Sequence, residues 1–303
     1  CGPAVEDAHP EDKAVTAITD DILGFIERSR GRPWFACAMH FTTHTRLRAP
    51  PALVEKHAAR GYRRTTAPAA RFAERPTAEY LAMLEHLDNE VGRLLARLDA
   101  WGLRENTLVV FTSDNGGLSR MADLSPLREG KGSPYEGGIR VPLLVRWPAA
   151  IAAGRVTDAP VHTVDFHPTF TALAGATPPA GHKLDGRDLG PLLTGGVAPE
   201  RSALFWHMPT YTAMYGRTPC AVVRHGDWKL IHWFGDYNLR EDPGETRDLA
   251  SARPEQVGVL RAALEAWWKD TGAGFPSRNP DFRESDWWET REAAPKRKAK
   301  AGG

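Results

Sequence analysis

The sequence predicts an α/β protein: a wound mixed or parallel sheet with helices on both faces, incomplete at its N-terminus, followed by a small C-terminal α+β subdomain. Three observations carry this. Helix-period and strand-like runs alternate, with short turns between them, from Val15 to Leu173. The two strongest strand-like runs adjoin glycine-rich loops. After about Gly195 the pattern changes to short β-rich runs and one helix. The implied division is 1–195 for the main α/β domain and 196–290 for the subdomain. A basic tail rich in Lys, Arg, Ala, Pro and Gly, predicted to be disordered, follows over 291–303.

The elements follow in order. Val15, Ile18, Ile22, Leu23 and Ile26 recur at helical spacing, and Pro33 then breaks the chain. Trp34 to Met39 is an apolar run of strand length, with Cys37 predicted as a small buried side chain. Thr77 to Trp101 is the clearest helix, with a stripe of Leu81, Leu84, Leu87, Val91, Leu94, Leu95 and Leu98, and Gly102 as its stop. Thr107 to Thr112 is β-branched and aromatic and reads as a fully buried strand. Val141 to Trp147 reads as a second strand, and Val164 to Leu173 as a helix that Gly175 ends. Beyond Gly195, strands are expected at Ala203–Trp206, Ala221–Arg224 and Trp228–Trp233, the last two joined by a His225-Gly226-Asp227 hairpin turn. Glu255 to Trp268 is an amphipathic helix.

The 39 Lys and Arg balance 38 Asp and Glu, leaving a formal charge of +1 that predicts no nucleic-acid or membrane-surface partner. No apolar stretch reaches the roughly 18 residues that a transmembrane segment needs. Three cysteines, Cys1, Cys37 and Cys220, are too few for a disulfide framework and leave the redox compartment open. Cys1 in place of Met has two readings, a processed lipoprotein or a chain that starts partway through a gene product; the motifs favour the second.

Three loops carry chemistry. Asp114-Asn115-Gly116-Gly117 lies at the carboxyl end of a predicted strand, where open α/β sheets place their ligands. Adjacent oxygen donors there suit a hard divalent cation, and an Asx-type turn accounts for the same residues. Lys131, flanked by Gly130 and Gly132, can bring an ammonium close to a bound anion, or be a solvated loop lysine. His44 shares the strand-end location.

Phe111 through Gly117, Gly130-Lys131-Gly132, and Tyr135-Glu136-Gly137-Gly138-Ile139-Arg140-Val141-Pro142 closely resemble the type I (formylglycine-dependent) sulfatases of the alkaline-phosphatase-like superfamily. Further matches run in order from about Glu11 to about Phe282: Leu84-Glu85-His86-Leu87-Asp88, Val164-Asp165-Phe166-His167-Pro168-Thr169, Leu184-Asp185-Gly186, Phe205-Trp206-His207, Gly226-Asp227-Trp228-Lys229-Leu230 and Asp242-Pro243-Gly244-Glu245-Thr246. The resemblance implies that Asp114 and Asn115 hold Ca²⁺ (alternatively Mg²⁺), that Lys131 contacts sulfate oxygens, and that His44 lies beside the sulfate ester. It also implies a formylglycine made from the cysteine of Cys-x-Pro-Ser-Arg, and an Asp pair, both expected upstream. Cys1-Gly2-Pro3-Ala4-Val5 lacks the Ser and Arg, and Arg46 stands where the family often has proline. His40, His86 and His167 match no catalytic role and are expected to be structural or solvated.

The implied function is hydrolysis of a small-molecule or glycan sulfate ester, with the nucleophile missing from this chain and no activity expected from it alone. The alternatives are a single-metal phosphate or phosphonate ester hydrolase of the same superfamily, and an inactive anion-binding module. A two-metal phosphatase would typically carry Asp-His-Gly at the Asp114 loop, because imidazole suits Zn²⁺.

Overall fold

A computed structural model describes residues 11–64, 76–210, 219–232, 235–275, 277, 280 and 281. The Cys1 segment, Trp233 and the 291–303 tail lie outside the described residues. The fold is mixed α/β with open sheets, and the chain divides into two compact units. One comprises Cys1–Leu124, Val141–Ala159 and Val164–Pro199, and the other Ser125–Arg140, Pro160–Thr163 and Glu200–Gly303.

The first unit opens with helices α1 (Val15–Ser29), α2 (Pro51–Ala59) and α3 (Ala78–Ala100). The Thr77 hydroxyl caps α3 by accepting from the Tyr80 amide at 3.3 Å. Past its end Gly102 takes φ 69°, which a side chain would resist. Burial along the leucine stripe is uneven, and Leu98 is buried. Leu84 is exposed, while Ala78, Ala82 and Met83 are buried. Ala78 and Ala82 pack with Val54 of α2, and small side chains there let the two helices approach closely.

Strand β1 (Val109–Thr112) pairs antiparallel with β2 (Leu143–Arg146), Val109 opposite Arg146 and Thr112 opposite Leu143. The parallel pairing allowed by the sequence is not realised between them. Their connection holds, among the described residues, no helix longer than the single turn Glu136–Ile139, too little for the usual parallel crossover. Nor is β1 fully buried: Phe111 is 42% exposed and its cross-strand partner Leu144 60%. A two-stranded ribbon lacks the flanking strands that would cover such side chains. Residues 34–39 have no ladder partner among the described residues, so they form no strand. Phe35 and Met39 are exposed there, and Cys37 is exposed rather than buried for the same reason.

Helix α4 (Phe166–Leu173) stacks Phe166 on Phe170, and Phe170 meets Phe35 at 5.6 Å. Before it, the buried Asp165 accepts from the Arg187 amide, and its carbonyl accepts from the Thr169 hydroxyl. A Cβ on Gly186 would come within 2.0 Å of the Val164 carbonyl oxygen. The motifs at Val164 and Gly186 therefore form one packing joint.

In the second unit β3 (Leu204–Met208), β4 (Cys220–His225), β5 (Trp228–Ile231) and β6 (Gly235–Asn238) form an antiparallel sheet in that order. Gly226 (φ 59°) and Asp227 make the hairpin turn, while His225 of the predicted turn ends β4 opposite Trp228. Strand alternation puts Ala221 and Val223 under Leu260 and Leu264 of α5 (Pro254–Thr271). Val222 packs with Ile231, Tyr237 and Tyr135 in a separate cluster. Strand β6 was not expected from its sequence, since Gly235 and Asp236 are poor strand formers; pairing with β5 imposes it.

Candidate active site

The Asp114 loop begins where β1 stops. The Thr112 hydroxyl donates to the Pro142 carbonyl at 3.0 Å, tying the strand end to the residue before β2. The Ser113 hydroxyl donates to the Asn115 carbonyl at 3.0 Å, and Asn115 Nδ2 donates to the Gly116 carbonyl at 2.9 Å. Committing the amide nitrogen inward leaves the Asn115 side-chain oxygen and the exposed Asp114 carboxylate as the acceptors of the loop. At Gly117 a Cβ would meet Ala122 at 3.0 Å, so the chain turns closely there. Both donors are hard oxygens and fit Ca²⁺ or Mg²⁺. They would supply two ligands where Ca²⁺ takes about 6–8. No group of three or more His, Cys, Asp or Glu among the described residues is arranged to hold a metal.

His44 is exposed, and its position is fixed by the backbone. Its amide donates to the Phe41 carbonyl at 2.9 Å, its carbonyl accepts from the buried Lys13 ammonium at 2.8 Å, and its Nδ1 donates to the Thr45 carbonyl at 2.6 Å. Nε2 is therefore the ring nitrogen left for a ligand, an acceptor when the ring is neutral and a donor when it is charged. Among the described residues no hydrogen bond or ion pair links His44, Asp114 and Asn115 to one another, although all three belong to the first unit.

Lys131 belongs to the second unit, on a loop that folds back on itself. A Cβ on Gly137 would lie 2.4 Å from the Arg128 carbonyl oxygen, and one on Gly138 would lie 2.2 Å from that of Ser133 and 2.6 Å from that of Gly130. Only glycine permits these crossings, which accounts for the Gly-Gly pair in the motif. The Tyr135 amide donates to the Ser133 hydroxyl, and the Arg128 guanidinium lies 4.0 Å from the Tyr135 ring centroid.

Sequence reasoning assigned no role to a buried ionic cluster in the same unit. Lys229 of β5, fully buried, donates to Glu136 at 2.9 Å and forms an ion pair with Glu245 at 2.8 Å. Burial pushes the Glu245 carboxyl up, opposed by the Lys229 ammonium. The available signal was a lysine between Trp228 and Leu230 in a strand, an ionic side chain in an apolar context.

Two further histidines, His86 and His40, lie outside the three loops. His86 lies 3.1 Å from Asp12 and 3.3 Å from the Thr16 hydroxyl. Burial lowers the pKa of His40, with Glu90 opposing and His86 reinforcing the shift.

Comparison with known proteins gives the family. The family model described as Sulfatase matches residues 6–176, and the chain belongs to the sulfatase family of sulfuric ester hydrolases. A second model, N-sulphoglucosamine sulphohydrolase, C-terminal, matches residues 130–266. A sulfatase of Formosa agariphila is 36% identical over 281 residues, 83% of this chain and 49% of its own length. Human arylsulfatase A is 37% identical over 220 residues, 60% of this chain and 43% of its own. The solved structure of Ps i-CgsB in complex with k-i-k-neocarrahexaose superposes at TM-score 0.73 with 28% identity, covering 93% of this chain and 60% of that one. The chain thus spans about half the length of the curated relatives it matches. No helix among the described residues is long and apolar enough to cross a membrane.

Proposed function

We propose that the protein hydrolyses sulfuric esters and that this chain supplies half of its metal site and an anion-contacting lysine. Asp114 and Asn115 present oxygen donors past the end of β1, and that placement supports the reading most directly. A hard dication bound there would neutralise charge on the sulfuryl oxygens. Lys131 donates to those oxygens as negative charge develops on them. His44, its Nδ1 committed to the Thr45 carbonyl, offers Nε2–H in the charged form to the leaving oxygen. The nucleophile is a formylglycine expected from a Cys-x-Pro-Ser-Arg segment, which this sequence does not contain. The substrate class is a small-molecule or glycan sulfate; the neocarrahexaose complex of a structural relative supports the glycan arm.

Metal analysis and turnover test this together. Full-length protein should carry Ca²⁺ or Mg²⁺, lose turnover of an aryl sulfate on chelation, and bind metal more weakly as Asn115→Ala. Tightly held Zn²⁺ with preference for a phosphate ester would instead mark a two-metal phosphatase, for which Asn115 is a poor ligand.

A further inference from the structure

We infer that Lys229 is a positioning residue for Lys131: clamped between Glu136 and Glu245, it locks the Gly130–Gly138 loop onto the sheet of the second unit. The inference rests on the reading of Lys131 as the anion-contacting lysine. Three segments distant in sequence converge on one ammonium. Lys229 comes from β5, Glu136 directly precedes the Gly137-Gly138 crossing, and Glu245 comes from the turn after β6. Glu245 also accepts from the Glu136 amide at 2.6 Å through its second oxygen, and its carbonyl accepts from Arg128 at 2.8 Å. Both ends of the Lys131 loop are thereby held by the same residue. Glu245 itself sits at φ 50°, a conformation that non-glycine residues take only when their surroundings hold them there.

The route from clamp to Lys131 is short. Glu136 fixes Gly137 and Gly138, and Gly138 packs so closely on the Gly130 carbonyl that a methyl group would not fit between them. Gly130 is the neighbour of Lys131. Movement of Glu136 therefore reaches the lysine through backbone contacts alone. Stability is a poor explanation for the cluster, because apolar replacements of buried ion pairs are often neutral or stabilising. What it supplies is a fixed register between three chain segments.

The test is a double-mutant cycle in the full-length protein, with Lys229→Met and Lys131→Ala, read by kcat and KM on a chromogenic aryl sulfate. Deuterium exchange of the 128–138 amides is read on the same proteins. Lys229→Met should lower kcat by up to about 10²-fold, the loss expected from misplacing a catalytic group by about 1 Å. It should leave KM nearly unchanged and speed exchange in the loop. In the Lys131→Ala background the same substitution should cost less than about twofold, since the group it positions is gone. Losses that multiply would show a general structural role and overturn the inference, as would unchanged loop exchange. If Lys131→Ala leaves kcat intact, the role of Lys131 in the chemistry falls, while exchange still decides whether the clamp exists. If Lys229→Met does not fold, Lys229→Arg is carried through the same cycle, and the same outcomes decide.

Discussion

At the scale of single residues, the second unit contains a buried acid that gains nothing from ionising. Asp236 on β6 is fully buried, and burial pushes its carboxyl up to about 6, with the Tyr237 amide pulling down and the Asp248 carboxylate adding to the rise. Its folded pKa lies above the ordinary 3.8, so its favourable contribution is present below that value and is lost as pH rises through about 6. Asp236→Asn should therefore raise the thermal midpoint at pH 7–8, and the gain should shrink as pH approaches 4. Melts across that range check it; a gain independent of pH would show that charge is not the cause. Asp242 behaves oppositely. Burial raises its pKa, but amide donations from Arg247 and Thr246 and the Thr246 hydroxyl outweigh it, and the net shift is down. This support for the Asp242–Thr246 turn is lost as pH falls through the lowered value.

At the scale of elements, capping and close packing differ in cost in a way one experiment can rank. Thr77→Ala removes the cap bond to the Tyr80 amide and should cost about 1 kcal/mol. Gly186→Ala drives a methyl group into the Val164 backbone, which cannot rotate away as a side chain can. It should cost more than Thr77→Ala, about 3 kcal/mol or above. Denaturant midpoints of the two variants give the order, and equal shifts would mean that the Val164–Gly186 joint relaxes freely. The sequence showed α3 and its Gly102 stop clearly, because a long helix repeats its signal over many turns. It did not show that Ala78 and Ala82 pack with Val54 of α2, since small side chains carry little apolar signal. It missed β6 because Gly235 and Asp236 carry no strand preference, and only the β5 ladder makes them one.

At the scale of the whole molecule, the isolated 303-residue chain should not turn over an aryl sulfate above an Asp114→Ala control. Its sequence holds no Cys-x-Pro-Ser-Arg, and the Asp114 loop offers two oxygen donors. Reproducible turnover above that control would refute the proposed division of the site. Family membership was legible because it rests on ordered local motifs, each readable without knowing what it touches. Glycine spacing at Gly137 and Gly138, the oxygen donors at Asp114 and Asn115, and the turn at Gly226 are properties of a few consecutive residues, and the sequence alone determined them. Partners across long separations were beyond it. That Lys229 meets Glu136 and Glu245, that Asp165 receives the Arg187 amide, and that Phe111 and Leu144 lie exposed on a two-stranded ribbon were decided only by tertiary structure. The physical reason is common to all three. A buried charge or an uncovered strand is defined by what surrounds it, and those surroundings come from chain segments tens of residues away.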